Sequence, residues 1–396
     1  MAPPNPTPPS PSASAASNSD ASNTSTSSSS SLPPLSLTSI AAAAAAASSS
    51  NQLNCLWIHF LIALCKEVTT CTAADADSTT EALLLPNKAV DSHAVSRVPR
   101  PIPKLKFTPV IGILSHPGNG GSGSSNKATK ASYIAASYVK FVESAGARVI
   151  PLIYNEPLKV INEKLNLVNG VIFTGGTAKS GVYFDVVKSI FKSVLRRNDA
   201  GEQFPLLAIC LGFELITMIV SEKKNILETF DAKNHASTLK IMGNIDVKET
   251  LFQSFPPDLL KKLSKERLVM QNHRYGISPK KFVKNDKLRG FFNILTITED
   301  RKKQLYVSTV QAHKYPVTGV QWHPEKNAYD QSLSATPRSK DAVKVTKYVA
   351  NFFVREARMS KNRPSTRKVL DNLIYNYSPT YCGKAGRGFD EVYIFS

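Results

Sequence analysis

The sequence predicts an α/β fold built on a doubly wound, mostly parallel sheet with helices on both faces. Two observations carry the prediction. From Lys106 onward, short apolar runs alternate with stretches of helical periodicity, the pattern of repeated strand-helix units. The runs are also continuously apolar, as strands are when both faces of the sheet are covered.

The elements follow in order. Pro109-Val-Ile-Gly-Ile-Leu114 reads as the first buried strand. Ala131 to Ala145 places Tyr133, Ile134, Ser137, Tyr138, Phe141 and Val142 at helical spacing, and Gly146 suits a C-terminal stop. The alternation continues with a strand over Arg148–Tyr154, a helix near Leu158–Leu167 and a strand over Gly170–Thr174. A helix over Tyr183–Arg197 and a strand over Phe204–Ile209 complete it. In such sheets, sites collect at the carboxyl ends of the strands.

Outside these units the chain divides by composition. Residues 1–54 are Ser, Ala, Pro, Thr and Asn with few large apolar side chains, too few to offset the entropy of ordering, and are expected to be disordered. Residues 55–76 hold the apolar run Leu56–Cys65 followed by small residues near Ala74. That run is too short to span a bilayer and resembles a secretory signal core, so no stable membrane insertion is expected. No Lys or Arg precedes it, and a buried helix is the alternative. Residues 77–104 form a linker, 105–360 the catalytic domain, and 361–396 a tail without an assigned role.

The formal charge of +19 falls entirely after residue 100. Its Lys and Arg are dispersed, with no nucleic-acid motif and no Arg-rich block, so a solvated basic face or a small anionic substrate is expected rather than nucleic acid. Cys55, Cys65 and Cys71 fall in or beside the apolar run, and only Cys210 and Cys382 come after residue 76, which excludes a disulfide framework and a cysteine metal site.

Two strand ends carry chemistry. Thr174-Gly175-Gly176-Thr177 can turn backbone N–H groups inward without a side chain in the way. In Ala208-Ile-Cys210-Leu211-Gly212 the cysteine takes the strand-to-helix turn between small residues, the thiol counterpart of a nucleophile elbow. The following helix aims its N-terminus at the sulfur, which favours the attacking thiolate. A base is supplied by His323, at a strand end stopped by Pro324, with Glu325 two residues on to orient the ring.

Together these residues resemble the class I glutamine amidotransferase-like fold, of flavodoxin-like architecture. The elbow Cys210-Leu-Gly-Phe-Glu214, Thr174-Gly-Gly176 and Gln321-Trp-His-Pro-Glu325 are similar, in particular, to the plant-type folate γ-glutamyl hydrolase family. Ser115-His-Pro-Gly118, Met270-Gln-Asn-His273 and Glu391-Val-Tyr-Ile-Phe395 extend the likeness from Phe107 to the C-terminus. The resemblance implies Cys210 as nucleophile, His323 as base and Glu325 as its partner. It also implies an oxyanion and substrate-binding set of Gly175, Gly176, Leu211, Glu214, His273 and Gln321. The implied substrate is a folate poly-γ-glutamate, cut through a thioester, with no cofactor and no metal. Localisation in the secretory pathway, to the vacuole or the extracellular space, is implied as well, and a homodimer is left open.

Thr177 and Arg274 stand where the family leads one to expect aromatic residues, which bears on the pocket wall. Two other functions compete: a glutaminase-type amidotransferase subunit, against which Phe213 stands where Gln is usual, and an inactive folate-binding homologue.

Overall fold

A computed structural model describes residues 108–118, 131–243, 245–382 and 389–396. The segments read as disordered, signal-like and linker, 1–54, 55–76 and 77–104, lie outside the described residues.

The first half of the fold runs β1 (Val110–Leu114), β2 (His116–Pro117), β3 (Ser132–Ala135), α1 (Ala136–Glu143), β4 (Arg148–Leu152) and α2 (Leu158–Leu165). It continues with β5 (Gly170–Phe173), α3 (Val182–Asp199), β6 (Leu206–Ile209) and α4 (Leu211–Ser221). The second half holds β7 (Glu228–Ser237), β8 (Lys240–Ile241), α5 (Pro257–Lys265), β9 (Val269–Gly276), α6 (Pro279–Val283) and α7 (Asp286–Phe291). After these come β10 (Phe292–Glu299), β11 (Leu305–Ala312), β12 (Val317–Val320), α8 (Lys326–Tyr329), α9 (Lys340–Arg358), α10 (Thr366–Leu370), β13 (Thr380–Tyr381) and β14 (Glu391–Phe395).

The central sheet has eight strands in the order β4-β1-β5-β6-β12-β11-β10-β8. The first five are parallel and the last three antiparallel. Numbered by sequence, the parallel strands run second, first, third, fourth, fifth, the flavodoxin-like winding that puts sites at the carboxyl ends. The expected doubly wound sheet is therefore present.

Alternate residues of each strand feed opposite cores. Ile111, Ile113, Val149 and Ile209 pack on the face of α1 and α9, with Phe141, Val142, Val349 and Phe353. Leu114, Leu152, Phe173 and Ala208 pack on the face of α2, α3 and α4, with Ile161, Val187, Phe191 and Leu215. With apolar helices on both sides, neither strand face can be polar, which is why the runs are continuous in the sequence. Pro151 is tolerated because β4 is an edge strand.

One expectation fails locally. The helix read from Ala131 begins only at Ala136, and Ser132–Ala135 is a strand paired with β2 and β14. Tyr133 and Ile134 suit either conformation, and the partner that decides is the last strand of the chain, about 260 residues away and invisible to local periodicity. Residues 361–396, to which the sequence assigns no role, thus contribute a paired strand.

Candidate active site

The elbow is built by close packing. Cys210 follows β6 directly, with φ of 52° and ψ of −101°, a left-handed conformation that is strained for a residue bearing a Cβ. Its N–H donates to the Val320 carbonyl at 2.8 Å, tying the turn to the neighbouring β12. A Cβ on Gly212 would lie 2.7 Å from the Phe173 carbonyl oxygen, so only glycine lets α4 start this close to β5. The thiol is nearly buried and lies 4.0 Å from the Asn272 carbonyl oxygen. The Leu211 amide opens α4, among the N–H groups that a helix cannot satisfy internally.

His323 arrives from the end of β12, and its own N–H donates to the Met270 carbonyl at 2.8 Å. Its Nδ1 lies 2.7 Å from Glu325 Oε1, and both side chains are buried. That bond puts the proton on Nδ1 and leaves Nε2, buried without a nitrogen or oxygen partner, to face the Cys210 side chain. Burial alone would lower the ring's pKa. The Glu325 carboxylate and the Cys210 sulfur outweigh it and raise the value to about 10. The thiol, the imidazole and the carboxylate are thus buried side by side.

The glycine loop closes the other side. A Cβ on Gly175 would fall 2.8 Å from His323 Cε1 and 3.5 Å from Cys210 Cβ, so the loop runs directly beside the sulfur. The Gly175 N–H donates to the Tyr138 hydroxyl at 2.9 Å. His116, which opens β2, supports the loop: its Nε2 accepts from the amides of Thr177 at 2.9 Å and Ala178 at 3.2 Å. Gly176, at φ of 153°, has room for no side chain, because a Cβ there would sit 2.2 Å from the His116 ring. Burial lowers the His116 pKa to about 4, which keeps the ring neutral and able to accept both bonds.

The pocket floor is polar and buried. Glu214, one helical turn after Cys210, is 2.8 Å from Lys179 Nζ through Oε2, and its Oε1 is 3.5 Å from Gln321 Nε2. Burial raises its pKa to about 7, against the pull of Lys179. Gln321 Oε1 is buried without a partner. His273 lies close enough to feel the His323 charge, bonds through Nδ1 to the Tyr275 carbonyl at 2.9 Å, and is pushed by burial down to about 3.

The structure sets Gly175, His323 and Glu325 beside Cys210 and Leu211, holds Gly176 against His116, and ties Glu214, Gln321 and His273 to the same region through Gln321 and the His323 charge. Tyr138, His116 and Lys179 were missed. His116 falls within a quoted motif, but nothing local marks it as the support of a loop sixty residues away. Among the described residues, no group of three or more His, Cys, Asp or Glu side chains could hold a metal ion. None of the described helices is long and apolar enough to cross a membrane.

Residues 109–325 match the peptidase C26 family. The chain is 59% identical to γ-glutamyl hydrolase 2 of Arabidopsis thaliana, over 79% of this chain and 91% of that one. It is 52% identical to the γ-glutamyl hydrolase of Glycine max, over 81% and 94%. It is 38% identical to the human enzyme of that name, over 66% and 83%. The family match and these identities, laid over a cysteine elbow beside a buried His-Glu pair, show that the chain belongs to the peptidase C26 family and is a hydrolase of the γ-glutamyl hydrolase kind.

Proposed function

We propose that this hydrolase cuts γ-glutamyl bonds in folate poly-γ-glutamates through a thioester on Cys210. The observation that carries the reading is the left-handed Cys210 turn set beside the His323-Glu325 pair. The sulfur attacks the γ-carbonyl as a thiolate paired with the His323 imidazolium. The carbonyl oxygen takes up the negative charge beside the amides of Gly176 and Leu211, the latter at the positive end of α4. As the tetrahedral adduct collapses, His323 gives its proton to the departing amine nitrogen and the C–N bond breaks, leaving a γ-glutamyl thioester. Water then loses a proton to His323 and attacks the same carbon; the C–S bond breaks, the γ-carboxyl product leaves and the thiolate–imidazolium pair is restored.

Glu325 holds the ring's tautomer, while Glu214, Gln321 and His273 line the glutamyl pocket. The excess of Lys and Arg favours a polyanionic substrate. The test is acid-quenched mass spectrometry after mixing with a folate pentaglutamate. A γ-glutamyl adduct on the peptide bearing Cys210 is expected, and turnover without any such adduct would refute the thioester route.

The division at residues 105 and 360 and the signal-like run 55–76 belong to the same proposal, with passage into the secretory pathway and on to the vacuole or the extracellular space. N-terminal sequencing of the mature protein is expected to start near Ala74. A mature chain that keeps residues 55–76 would overturn that localisation.

A further inference from the structure

The loop beside the sulfur ends on a cation with one foot in the pocket. Lys179 Nζ lies 2.8 Å from Glu214 Oε2 and 4.5 Å from the centre of the Tyr275 ring. The Glu214 side chain is buried, whereas that of Lys179 is 26% exposed, so the ammonium marks the boundary between pocket floor and solvent. It is also close to the chemistry. The Glu214 N–H donates to the Cys210 carbonyl at 3.0 Å, placing its side chain one helical turn from the sulfur. Gly175, four residues before Lys179, is the residue whose Cβ would touch Cys210.

A glutamyl residue linked through its side chain carries the same charge as its α-linked isomer but presents it at a different place. Its α-carboxylate stays free, two methylenes from the carbonyl under attack. Taking that carboxylate out of water requires a cation or several donors. The cations whose charges act on Glu214 are Lys179 and His323, and His273 lies near His323. The imidazolium of His323 is committed to Glu325 and Cys210, and burial keeps His273 neutral. Lys179 is the remaining basic side chain, and its long flexible stem lets the head group swing.

We propose that Lys179 receives the α-carboxylate of the glutamyl residue whose γ-bond is cut, exchanging Glu214 for substrate, an assignment that rests on the γ-glutamyl hydrolase reading above. Glu214 and the unpartnered Gln321 Oε1 then accept from the amide N–H on the same α-carbon. Burial already moves the Glu214 pKa up to about 7, so it can take on a proton near neutrality rather than repel the incoming carboxylate. Selectivity for γ- over α-linked chains thus comes from a charge the α-linked chain does not present there.

The experiment compares two γ-glutamyl peptides that differ only at the scissile residue, one with a free α-carboxylate and one with an α-carboxamide. The wild-type enzyme is expected to prefer the free acid in kcat/KM by roughly tenfold to a hundredfold, the range of a charge-assisted bond. Lys179→Met should bring that preference close to one, mainly through KM, and Lys179→Arg should keep most of it. Iodoacetamide labelling of Cys210 reports an intact elbow in each protein. A Lys179→Met enzyme that labels normally and keeps the wild-type preference overturns the assignment. So does a labelling Lys179→Arg enzyme that has lost it, should Lys179→Met fail to fold. Wild-type protein that labels at Cys210 yet cleaves neither peptide overturns the γ-glutamyl reading, and this assignment with it.

Discussion

The parallel sheet and the rim of loops at its carboxyl ends are made of adjoining residues but obey different rules. Leu207, Ala208 and Ile209 are apolar and fully buried, the first two paired with both β5 and β12 and Ile209 with β12. One residue later Cys210 adopts a left-handed backbone, and near it Oε2 of Glu325 and Oε1 of Gln321 are buried without partners. Each such feature costs a kilocalorie or more per mole in isolation. They persist because the strands beneath over-determine the positions above. The sheet supplies stability, and the rim spends part of it on a strained turn and unpartnered polar atoms.

That contrast can be broken most sharply at the rim. Cys210→Ala or His323→Ala is expected to lower turnover of a folate pentaglutamate by at least about three orders of magnitude. Cys382→Ala should leave turnover near wild type. Release of glutamate by Cys210→Ala at the wild-type rate would end the nucleophile assignment.

A smaller loss, roughly 10²–10⁴-fold, is expected for Glu325→Gln, which keeps the shape and removes the charge. The carboxylate helps raise the His323 pKa to about 10. Without it the ring should lose its proton at lower pH, and the alkaline limb of the kcat/KM profile should move toward acid. An alkaline limb that stays in place would show that Glu325 does not tune His323.

Gly212→Ala probes the seam between sheet and rim. Its Cβ would meet the Phe173 carbonyl oxygen at 2.7 Å, and backbone cannot give as a flexible side chain does. A cost of about 1–3 kcal/mol is expected, seen as a lower midpoint in thermal unfolding, together with slower alkylation of Cys210. Unchanged alkylation would mean that the elbow does not depend on this contact.

Within the sheet, Ile209→Val should cost only about 0.5–1.5 kcal/mol and leave the alkylation rate of Cys210 alone. A change in that rate would show that rim and sheet are not separable as described.

The chain alone determined the doubly wound sheet, because strands covered on both faces must be apolar throughout and helices between them must be apolar on one side. It also determined the elbow, since small residues around Cys210 and the Gln321–Glu325 strand end are local patterns with a steric cause. The start of α1 was beyond it: whether Ser132–Ala135 coils or extends depends on β14, which joins from the far end of the chain. The roles of His116, Tyr138 and Lys179 were likewise decided only by the tertiary structure. His116 opens β2 just beyond β1, and Lys179 lies in the loop after β5, so the two follow neighbouring strands though about sixty residues apart in sequence. Hydrogen bonds and ion pairs act over about 3 Å, so a partner that distant leaves no periodicity to read. Backbone packing writes itself into residue types nearby, whereas side-chain pairing is settled when strands from different parts of the chain come side by side.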